Sequence, residues 1–411
     1  MSFLDELKWR GLLNNVTNEN KLKLFELEKG TAYIGFDPSG DSLHLGNYIM
    51  ILILRRLQQF GLNGIAVIGG ATGQIGDPSG KKSERLMLDI RKTRTNALAI
   101  QKQLKKYGKV PVFNNETIYR NVTLFDFLRD TGKLINVNYL LEKDIIKSRL
   151  DTGISYAEFS YNIIQGNDFA WLYKNKHVTM QIGGSDQWGN ITTGIEMIRK
   201  LQGDNNKACG LTINLLTKED GTKFGKSESG AIYLEKKYTS AFVMYQFLYN
   251  QADPDVEKLL KYFTFLTKSE IETIIFEHQS VPFKRNAQKK LAEIVVTDIH
   301  GTNEYKRCLK ISDALFKGNI EALSNDELYD GLISLPTINA TQTSYNVIDL
   351  LILCGACASK TEGRKLIESN AIYVNNKIVH QFDLIVSKNE GLSNKFSYVK
   401  KGKKNYYLIK W

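Results

Sequence analysis

Short apolar runs alternate with longer helical stretches in the first half of the chain. The runs at 31–36, 64–69, 178–182 and 211–216 have the length and composition of strands buried on both faces. Between the first two, residues 48–60 form an apolar stretch of helical length that Gly61 ends. A strand–helix–strand order of this kind predicts an α/β domain built on a parallel sheet.

The remaining pattern predicts further helices and a small terminal module. Residues 3–28 read as one or two helices, and 89–150 as mostly amphipathic helix with a short strand near 110–114. Helical spacing dominates 236–302, and a linker of low order is expected near 324–344. After it come a helix leading to Gly355, a second helix capped near Ser359, and a hairpin that turns at Asn375–Asn376.

A chain of 411 residues is longer than a single hydrophobic core usually accommodates, which favours several domains. We expect a catalytic domain over 1–230, an all-α domain over 231–330 and a small α+β domain over 345–411. The net charge is +11, and residues 345–411 hold eleven Lys and Arg against five Asp and Glu, a net of +6. This excess suggests a polyanionic partner, although a solvated Lys-rich surface has the same composition.

The cysteines and the apolar runs indicate the cellular compartment in which the protein resides. The four cysteines are scattered, which suits a reducing compartment, and Cys354 and Cys357 are expected to pack in a core rather than bind zinc. No apolar run reaches membrane-spanning length, and the acidic start of the chain does not resemble a secretion signal. We therefore expect a cytoplasmic protein that makes no membrane contact.

The stretch from Tyr33 to Tyr48, YIGFDPSGDSLHLGNY, combines a strand, a tight turn and a helix start. Residues 37–42 are nearly all turn formers, and Asp41 or Ser42 is expected to cap the helix. The free N–H groups of the first helical turn form an anion site. His44 and Asn47, three residues apart, can face one ligand there, and Gly46 lets a flat ligand approach the backbone. The alternative is an ordinary crossover with a solvated His.

A polar stripe crosses the otherwise apolar stretch 157–171. Tyr161, Gln165 and Asp168 follow i, i+4, i+7 spacing and share one helical face. A surface stripe would look the same, but the neighbouring apolar residues leave little of this helix exposed. Because buried polar groups need partners, the stripe favours a polar ligand.

Three glycine-containing loops follow predicted strands. GGATGQIGDPSGKKSER after the second strand fits neither a P-loop nor a dinucleotide fingerprint. In GGSDQWGN, Asp186 is well placed to hold a ribose diol. The loop 218–230 sets Lys223 and Lys226 three apart with Ser227 next, and lysines on a mobile loop can stabilise charge that develops late in a reaction. Alone, it would read as a charged surface loop.

Together these motifs resemble class I aminoacyl-tRNA synthetases. HLGN resembles the family's HIGH signature with Asn47 in place of its second His, and KFGKS, about 180 residues downstream, resembles KMSKS. YIGFDPS, the polar stripe and GGSDQW resemble the tyrosyl-tRNA synthetase branch, and 345–411 resembles its S4-type RNA-binding module. The resemblance implies a Rossmann-like catalytic domain, a helical domain facing the anticodon arm, and dimerisation through the region 89–150.

The resemblance also implies a reaction and a role for each residue. L-tyrosine and ATP would give tyrosyl-adenylate, and the tyrosyl group would pass to the 3′-terminal adenosine of tRNA(Tyr); ATP would bring Mg²⁺, with no metal site or tightly bound cofactor of the protein's own. A homodimer is expected. The catalytic residues would be His44, Asn47, Lys223, Lys226 and Ser227. Tyrosine would contact Tyr33, Asp37, Asp77, Tyr161, Gln165, Asp168 and Gln187. ATP would contact Gly35, His44, Gly46, Asn47, Gly183, Asp186 and Lys226, and RNA would contact Lys360, Arg364 and Lys365.

Three alternatives stay open on the sequence. A tryptophanyl or other class I relative would share the two signatures and differ in its substrate. A paralogue that binds RNA and has lost catalysis would keep the fold without amino-acid-dependent pyrophosphate exchange. A nucleotide-binding oxidoreductase is disfavoured because the sequence contains no dinucleotide fingerprint.

Overall fold

The computed structural model describes residues 1–79, 89–216, 224, 226–227, 230–317, 320–333, 335–402 and 405–411, with backbone alone at 226, 227, 317 and 321. The chain forms two compact units. The first comprises Met1–Tyr238 and Gln251–Ala287, and the second comprises Thr239–Asn250 and Gln288–Trp411. The division into three domains made from the sequence stays a prediction.

The strands are β1 Leu13–Val16, β2 Thr31–Phe36, β3 Asn63–Ile68, β4 Val112–Asn114, β5 Val178–Gly184, β6 Cys209–Ile213, β7 Lys226–Ser227, β8 Gly230–Ala231, β9 Thr337–Asn339, β10 Ser344–Asn346, β11 Ile372–Val374, β12 Lys377–Ile378, β13 Ile385–Ser387, β14 Phe396–Lys401 and β15 Asn405–Lys410.

The α-helices are α1 Phe3–Trp9, α2 Glu19–Leu27, α3 Leu45–Gln59, α4 Thr72–Ile75, α5 Ile90–Gln103, α6 Glu116–Tyr119, α7 Leu124–Asp126, α8 Val137–Leu141, α9 Asp144–Leu150, α10 Tyr156–Lys176, α11 Trp188–Gln202, α12 Ala241–Tyr249, α13 Asp253–Phe263, α14 Lys268–Ser280, α15 Asn286–His300, α16 Thr302–Lys317, α17 Asn325–Leu332, α18 Val347–Leu353 and α19 Lys360–Glu368. None of the helices in the described ranges is both long and apolar enough to span a bilayer.

The first unit is organised around a six-stranded sheet in the order β1-β6-β5-β2-β3-β4. All neighbouring strands run parallel except β1, which pairs antiparallel with β6. From β2 the chain winds outward through β3 to β4, and it then returns to place β5 on the other side of β2. Ligands of open α/β sheets bind where the strand order reverses, at the carboxyl ends of the strands. That point lies here between β2 and β5.

Two helices cover the sheet beside this point and pack closely against each other. A Cβ on Gly166 of α10 would stand 2.9 Å from Met197 Sδ of α11, and a Cβ on Gly194 of α11 would stand 3.0 Å from the Phe169 ring of α10, so glycine at both positions permits the close approach. Side chains from α10, α11 and the sheet form a buried cluster that includes Phe169, Met197 and Tyr33. The polar stripe on α10 is thereby held rigidly against the carboxyl end of β2.

The second unit contains the terminal module. Strands β12, β11, β14, β15 and β9 form one sheet, in which β9 runs parallel to β15. The predicted hairpin is confirmed: Asn375 and Asn376 have φ of +47° and +68°, as a tight two-residue turn requires. Cys354 and Cys357 are buried in the hydrophobic cluster of this module, as expected.

Two expectations about elements are wrong. Residues 324–344 hold a helix and a strand rather than a linker, because Ser324 and Glu327 form a capping box that starts α17 and because β9 pairs with β15. The sequence also gave no sign of β1. This strand has two exposed central residues and depends on pairing with β6 at the edge of the sheet, which a local pattern cannot reveal.

Candidate active site

A cavity of about 500 Å³ opens at the carboxyl ends of β2 and β5. It brings together most of the residues that the sequence singles out for small-molecule binding. Its lining includes Tyr33, Gly35, Asp37, His44, Gly46, Asn47, Asp77, Tyr161, Gln165, Asp168, Gly183, Asp186 and Gln187. These residues come from five separate stretches of the chain, which the parallel sheet gathers at one edge.

Asp168 is a buried carboxylate held on both oxygens. Asn115 Nδ2 donates to Oδ2 at 2.7 Å, and the Tyr119 hydroxyl donates to Oδ1 at 2.6 Å. Burial raises the pKa of Asp168 to about 7, and the two hydrogen bonds offset only part of that rise. The group therefore changes charge near neutral pH, at the inner end of the cavity.

In contrast to the Asp168 oxygens, two polar atoms of the cavity wall have no hydrogen-bond partner among the described residues. Within the described part of the chain, the buried Tyr33 hydroxyl and the Gln181 Oε1 atom each lack a hydrogen bond. Tyr33 and Gln181 are register partners on β2 and β5, so their side chains leave the same face of the sheet. Unpaired buried polar atoms are costly in a protein interior, and their presence beside Asp168 indicates a site for a polar ligand group.

Asp37, directly after β2, links the sheet to the polar stripe. It accepts hydrogen bonds from the Tyr161 hydroxyl and from Thr72 Oγ1, each at 2.9 Å. A Cβ on Gly69 would stand 2.0 Å from Asp37 Oδ1, so only glycine leaves room for this carboxylate. Burial and the neighbouring Asp37 raise the pKa of Tyr161 well above its ordinary value, which keeps its hydroxyl protonated.

A second network joins Asp77 to the stripe. Gln187 Nε2 donates to Asp77 Oδ2 at 2.6 Å, and Gln165 Nε2 donates to Gln187 Oε1 at 3.2 Å. Asn190 Nδ2, fully buried, lies 3.0 Å from the side-chain oxygens of both glutamines. The network presents carboxylate and amide oxygens to the middle of the cavity, where an ammonium group would find acceptors.

The start of α3 differs from the sequence expectation. His44 is the N-cap: its Nδ1 accepts from the Asn47 backbone N–H at 3.3 Å, and Asn47 Oδ1 accepts from the His44 N–H at 3.1 Å. The proposed caps, Asp41 and Ser42, are wrong, because the helix begins at Leu45 and both residues bond elsewhere. His44 and Asn47 do share the first turn and both line the cavity.

Backbone lines the outer end of the cavity. Gly35 is exposed in mid-strand, and a Cβ there would meet nothing within 4 Å. Gly46 and Gly183 also contribute main chain, since a Cβ on either would come within 3.0 Å of the His44 imidazole or of Gln187. Asp186 lies in the short turn after β5 and adds a carboxylate to this end.

The segment after the KFGKS loop is fastened to the turn before α3. The Leu45 N–H donates to the Ile232 carbonyl at 2.9 Å, and the Leu234 N–H donates to the Leu43 carbonyl at 2.8 Å. Within the loop, Lys223 lies outside the described residues, and Lys226 and Ser227 are described only as the backbone of β7. Phe224 is buried against Phe263, with ring centroids 5.5 Å apart, and lines the cavity.

The residues expected to contact RNA lie in the second unit. Lys360, Arg364 and Lys365 are all exposed on α19, and Lys360 Nζ lies 2.9 Å from Asp349. Lys401 instead donates to the Ala356 carbonyl at 2.7 Å, and Lys403 and Lys404 lie outside the described residues.

Several residues in the cavity wall or directly behind it were not identified by the sequence analysis. Asn115, Tyr119 and Thr72 hold the two inner carboxylates, while Gln181 and Asn190 complete the wall and the amide network. One signal was available, because Asn115 directly follows the strand predicted near 110–114, where parallel sheets present ligand-binding groups. The others are single polar residues in apolar elements, and their spacing carries no motif.

The parallel sheet, its reversal point and the helix start facing the cavity define a nucleotide-binding α/β domain of the class I synthetase type. A family model described as "tRNA synthetases class I (W and Y)" matches residues 26–317, and one described as "Tyrosine--tRNA ligase SYY-like C-terminal domain" matches 327–409. The chain belongs to the class I tRNA synthetases of the tryptophan and tyrosine branch, and the family predicted from its motifs is confirmed.

Curated relatives match over their whole length. The tyrosine–tRNA ligase of Ureaplasma urealyticum serovar 10 is 52% identical over 410 residues, covering 100% of this chain and 99% of the relative. A Listeria monocytogenes serotype 4b tyrosine–tRNA ligase is 45% identical over 418 residues, with 100% of both chains covered.

Solved structures agree in fold. A C-terminally truncated mitochondrial tyrosyl-tRNA synthetase from Aspergillus nidulans is 31% identical with a TM-score of 0.68, covering 77% of this chain and 94% of its own. The tyrosyl-tRNA synthetase of Archaeoglobus fulgidus, at 16% identity and a TM-score of 0.56, covers 75% of this chain and 99% of its own. That second likeness bears on the fold alone.

Proposed function

We propose that the protein is a tyrosine–tRNA ligase that works in two steps. In the first, a carboxylate oxygen of L-tyrosine attacks the α-phosphorus of ATP, and pyrophosphate leaves from the tyrosyl-adenylate. In the second, a ribose hydroxyl of the 3′-terminal adenosine of tRNA(Tyr) attacks the tyrosyl carbonyl carbon, and AMP leaves. The observation that carries the proposal is the pair formed by the Tyr33 hydroxyl and the Asp168 carboxylate, inside a cavity that the first turn of α3 also lines.

The pair provides a chemical reason for choosing tyrosine. The substrate phenol can donate its proton to Asp168 while it accepts a hydrogen bond from Tyr33. Phenylalanine would leave the buried Tyr33 hydroxyl without a partner, and a site with unpaired polar groups rejects such a ligand. This enzyme class is itself the usual illustration of that form of selectivity.

The middle of the cavity suits the amino acid's polar end. Tyr161, Gln165 and Asp77 offer oxygens to an α-ammonium group, with Asp37 behind Tyr161 to fix its hydroxyl. Gln187 lies beside them, where the α-carboxylate would have to stand to reach the nucleotide. These groups bind and orient the substrate, and the proposed chemistry needs no covalent nucleophile from the protein.

The outer end suits ATP. The Gly46 N–H at the start of α3, with the His44 and Asn47 side chains, would hold phosphates, and Asp186 would hold the ribose. Gly35 and Gly183 let the nucleotide approach the backbone. Lys223, Lys226 and Ser227 would stabilise the departing pyrophosphate. Mg²⁺ would arrive with ATP as part of the substrate, and the described residues contain no group of three or more His, Cys, Asp or Glu placed to bind a metal ion.

The terminal module and the helical region before it would bind the tRNA. Exposed Lys360, Arg364 and Lys365 on α19 supply positive charge for phosphate contacts, and residues 231–330 would face the anticodon arm. The four cysteines are free and buried, which supports a reducing, cytoplasmic setting.

A homodimer would form through the region 89–150. Leu124 and Phe125 are 68% and 80% exposed, beside a second cavity of about 610 Å³ that includes Leu124 and Phe127 in its wall. An apolar surface of this kind favours a protein partner, and a second copy is the partner we propose. Phe125→Asp should shift the protein from dimer to monomer in sedimentation equilibrium, and a monomeric wild type would contradict the dimer.

The decisive experiment is ATP–pyrophosphate exchange by the intact protein, run separately with each amino acid. Exchange that requires tyrosine supports the proposal. Exchange that requires tryptophan would reassign the substrate. A folded protein that binds tRNA but exchanges with no amino acid would be an inactive paralogue.

A further inference from the structure

One side chain that contacts the Asp168 carboxylate, Tyr119, does not line the substrate cavity. The Tyr119 hydroxyl lies 2.6 Å from Asp168 Oδ1, and the Tyr119 ring lines the second cavity, packed edge-on against Phe127 at 6.2 Å between centroids. Tyr119 therefore reaches Asp168 from the side of the second cavity rather than from the substrate cavity.

We propose that Tyr119 is a positioning residue, whose hydroxyl fixes the Asp168 carboxylate in the orientation and charge state that receive the substrate phenol. This inference rests on the proposed function and adds to it a residue that the family motifs do not contain. Asn115 holds the other oxygen at 2.7 Å, so the carboxylate is fixed by two donors from one segment, β4 to α6.

The Tyr119 hydroxyl is itself firmly placed. Asn167 Nδ2 donates to it at 3.2 Å, which leaves its own proton for an acceptor. Its two possible acceptors are Asp168 Oδ1 at 2.6 Å and the Ile164 carbonyl at 2.9 Å, and a carboxylate forms the stronger bond. Burial and the adjacent Asp168 raise the pKa of Tyr119 well above its ordinary value, so it remains a donor across the working pH range.

Three other titratable groups in the described part of the chain face Asp168. They are Tyr33 from β2, Tyr161 from α10 and Asp37 from the turn after β2. Burial raises the pKa of both tyrosines well above the ordinary value, so they stay neutral. Removing the Tyr119 hydroxyl should therefore change the titration of Asp168 without creating a new charged neighbour.

The test compares Tyr119→Phe with wild type in tyrosine-dependent ATP–pyrophosphate exchange from pH 5.5 to 9. Loss of one charge-assisted hydrogen bond should raise the KM for tyrosine about tenfold at pH 7, with kcat changed by less than about threefold. The acid limb of kcat/KM should move up by about one pH unit, because the carboxylate loses a donor that favours its ionised form. Exchange with phenylalanine, which has no hydroxyl to place, should be unchanged.

Tyr173→Phe is the matched control. Tyr173 lies on the same helix as Asp168, but its hydroxyl accepts from the Lys207 N–H at 3.1 Å. An unshifted acid limb in Tyr119→Phe, or equal losses with tyrosine and phenylalanine, would overturn the positioning role. A wild-type protein without tyrosine-dependent exchange would instead overturn the proposed function, so the two failures are distinguishable.

Discussion

Replacing Tyr33 with Phe tests both the stability of the free protein and the recognition of the substrate, because the hydroxyl that it removes is buried and unpaired. Its ring stays packed against Phe169, with centroids 5.5 Å apart, so the core is preserved. An unsatisfied buried polar group costs roughly 1–3 kcal/mol, and its removal should leave the folded protein equally or more stable. The same change removes a hydrogen bond to substrate of about 0.5–1.5 kcal/mol, a loss of roughly 2- to 13-fold in kcat/KM for tyrosine.

Two assays separate these effects. Thermal unfolding of Tyr33→Phe without ligand should give a midpoint at or above that of wild type. Pyrophosphate exchange should show a higher KM for tyrosine and a smaller preference over phenylalanine. Tyr161→Phe is the control for stability: its hydroxyl is equally buried but donates to Asp37 at 2.9 Å, so its removal should lower the midpoint.

The reasoning would be refuted by either of two results. A clear drop in the unfolding midpoint of Tyr33→Phe would mean that the hydroxyl has a partner in the free protein. An unchanged preference for tyrosine over phenylalanine would mean that Tyr33 does not read the substrate hydroxyl.

Three further predictions concern charge, space and RNA. Because the pKa of Asp168 is raised from 3.8 to about 7, the folded state holds this proton more tightly than the unfolded chain, and the Asp168 contribution to the unfolding free energy falls as pH rises from about 4 to 7. The KM for tyrosine should rise as pH falls below about 7, and Asp168→Asn should flatten that dependence; an unaltered profile would contradict the assignment. Gly35→Ala should fold normally but raise the KM for ATP several-fold, whereas Gly69→Ala should destabilise the fold by crowding Asp37. Equal unfolding midpoints for the two variants would contradict this difference. Charge reversal of Lys360, Arg364 and Lys365 should spare exchange and weaken tRNA charging, most strongly at low salt where the attraction to phosphates is least screened; equal loss of both activities would contradict this role.

The sequence predicted the parts of the site that depend on local pattern. The turn before α3 was predicted from its residue types and the helical stripe Tyr161, Gln165 and Asp168 from its spacing, and the sheet does gather them. Their partners could not be predicted in the same way. Asn115 reaches Asp168 across 53 positions of sequence, and only the pairing of β4 with β3 brings it there.

Errors arose where tertiary pairing overrides local signals. Asp41 is a strong cap former, but the chain uses it to bond Lys237 and Tyr238, and His44 caps the helix instead. Strand β1 depends on β6, about 200 residues away, and β9 depends on β15. Each of these choices is decided by a distant segment that no short window contains.

The fastening of Ile232–Leu234 to Leu43–Leu45 has a practical consequence for protein engineering. Two backbone hydrogen bonds hold the segment directly after the 217–229 stretch in a fixed position against the turn before α3. Chimaeras that import this stretch from a relative should therefore be spliced after residue 216 and before residue 230, so that the recipient keeps its own downstream fastening. Differences in the length of the imported segment would then be taken up between the two splice points, without shifting the outer end of the cavity.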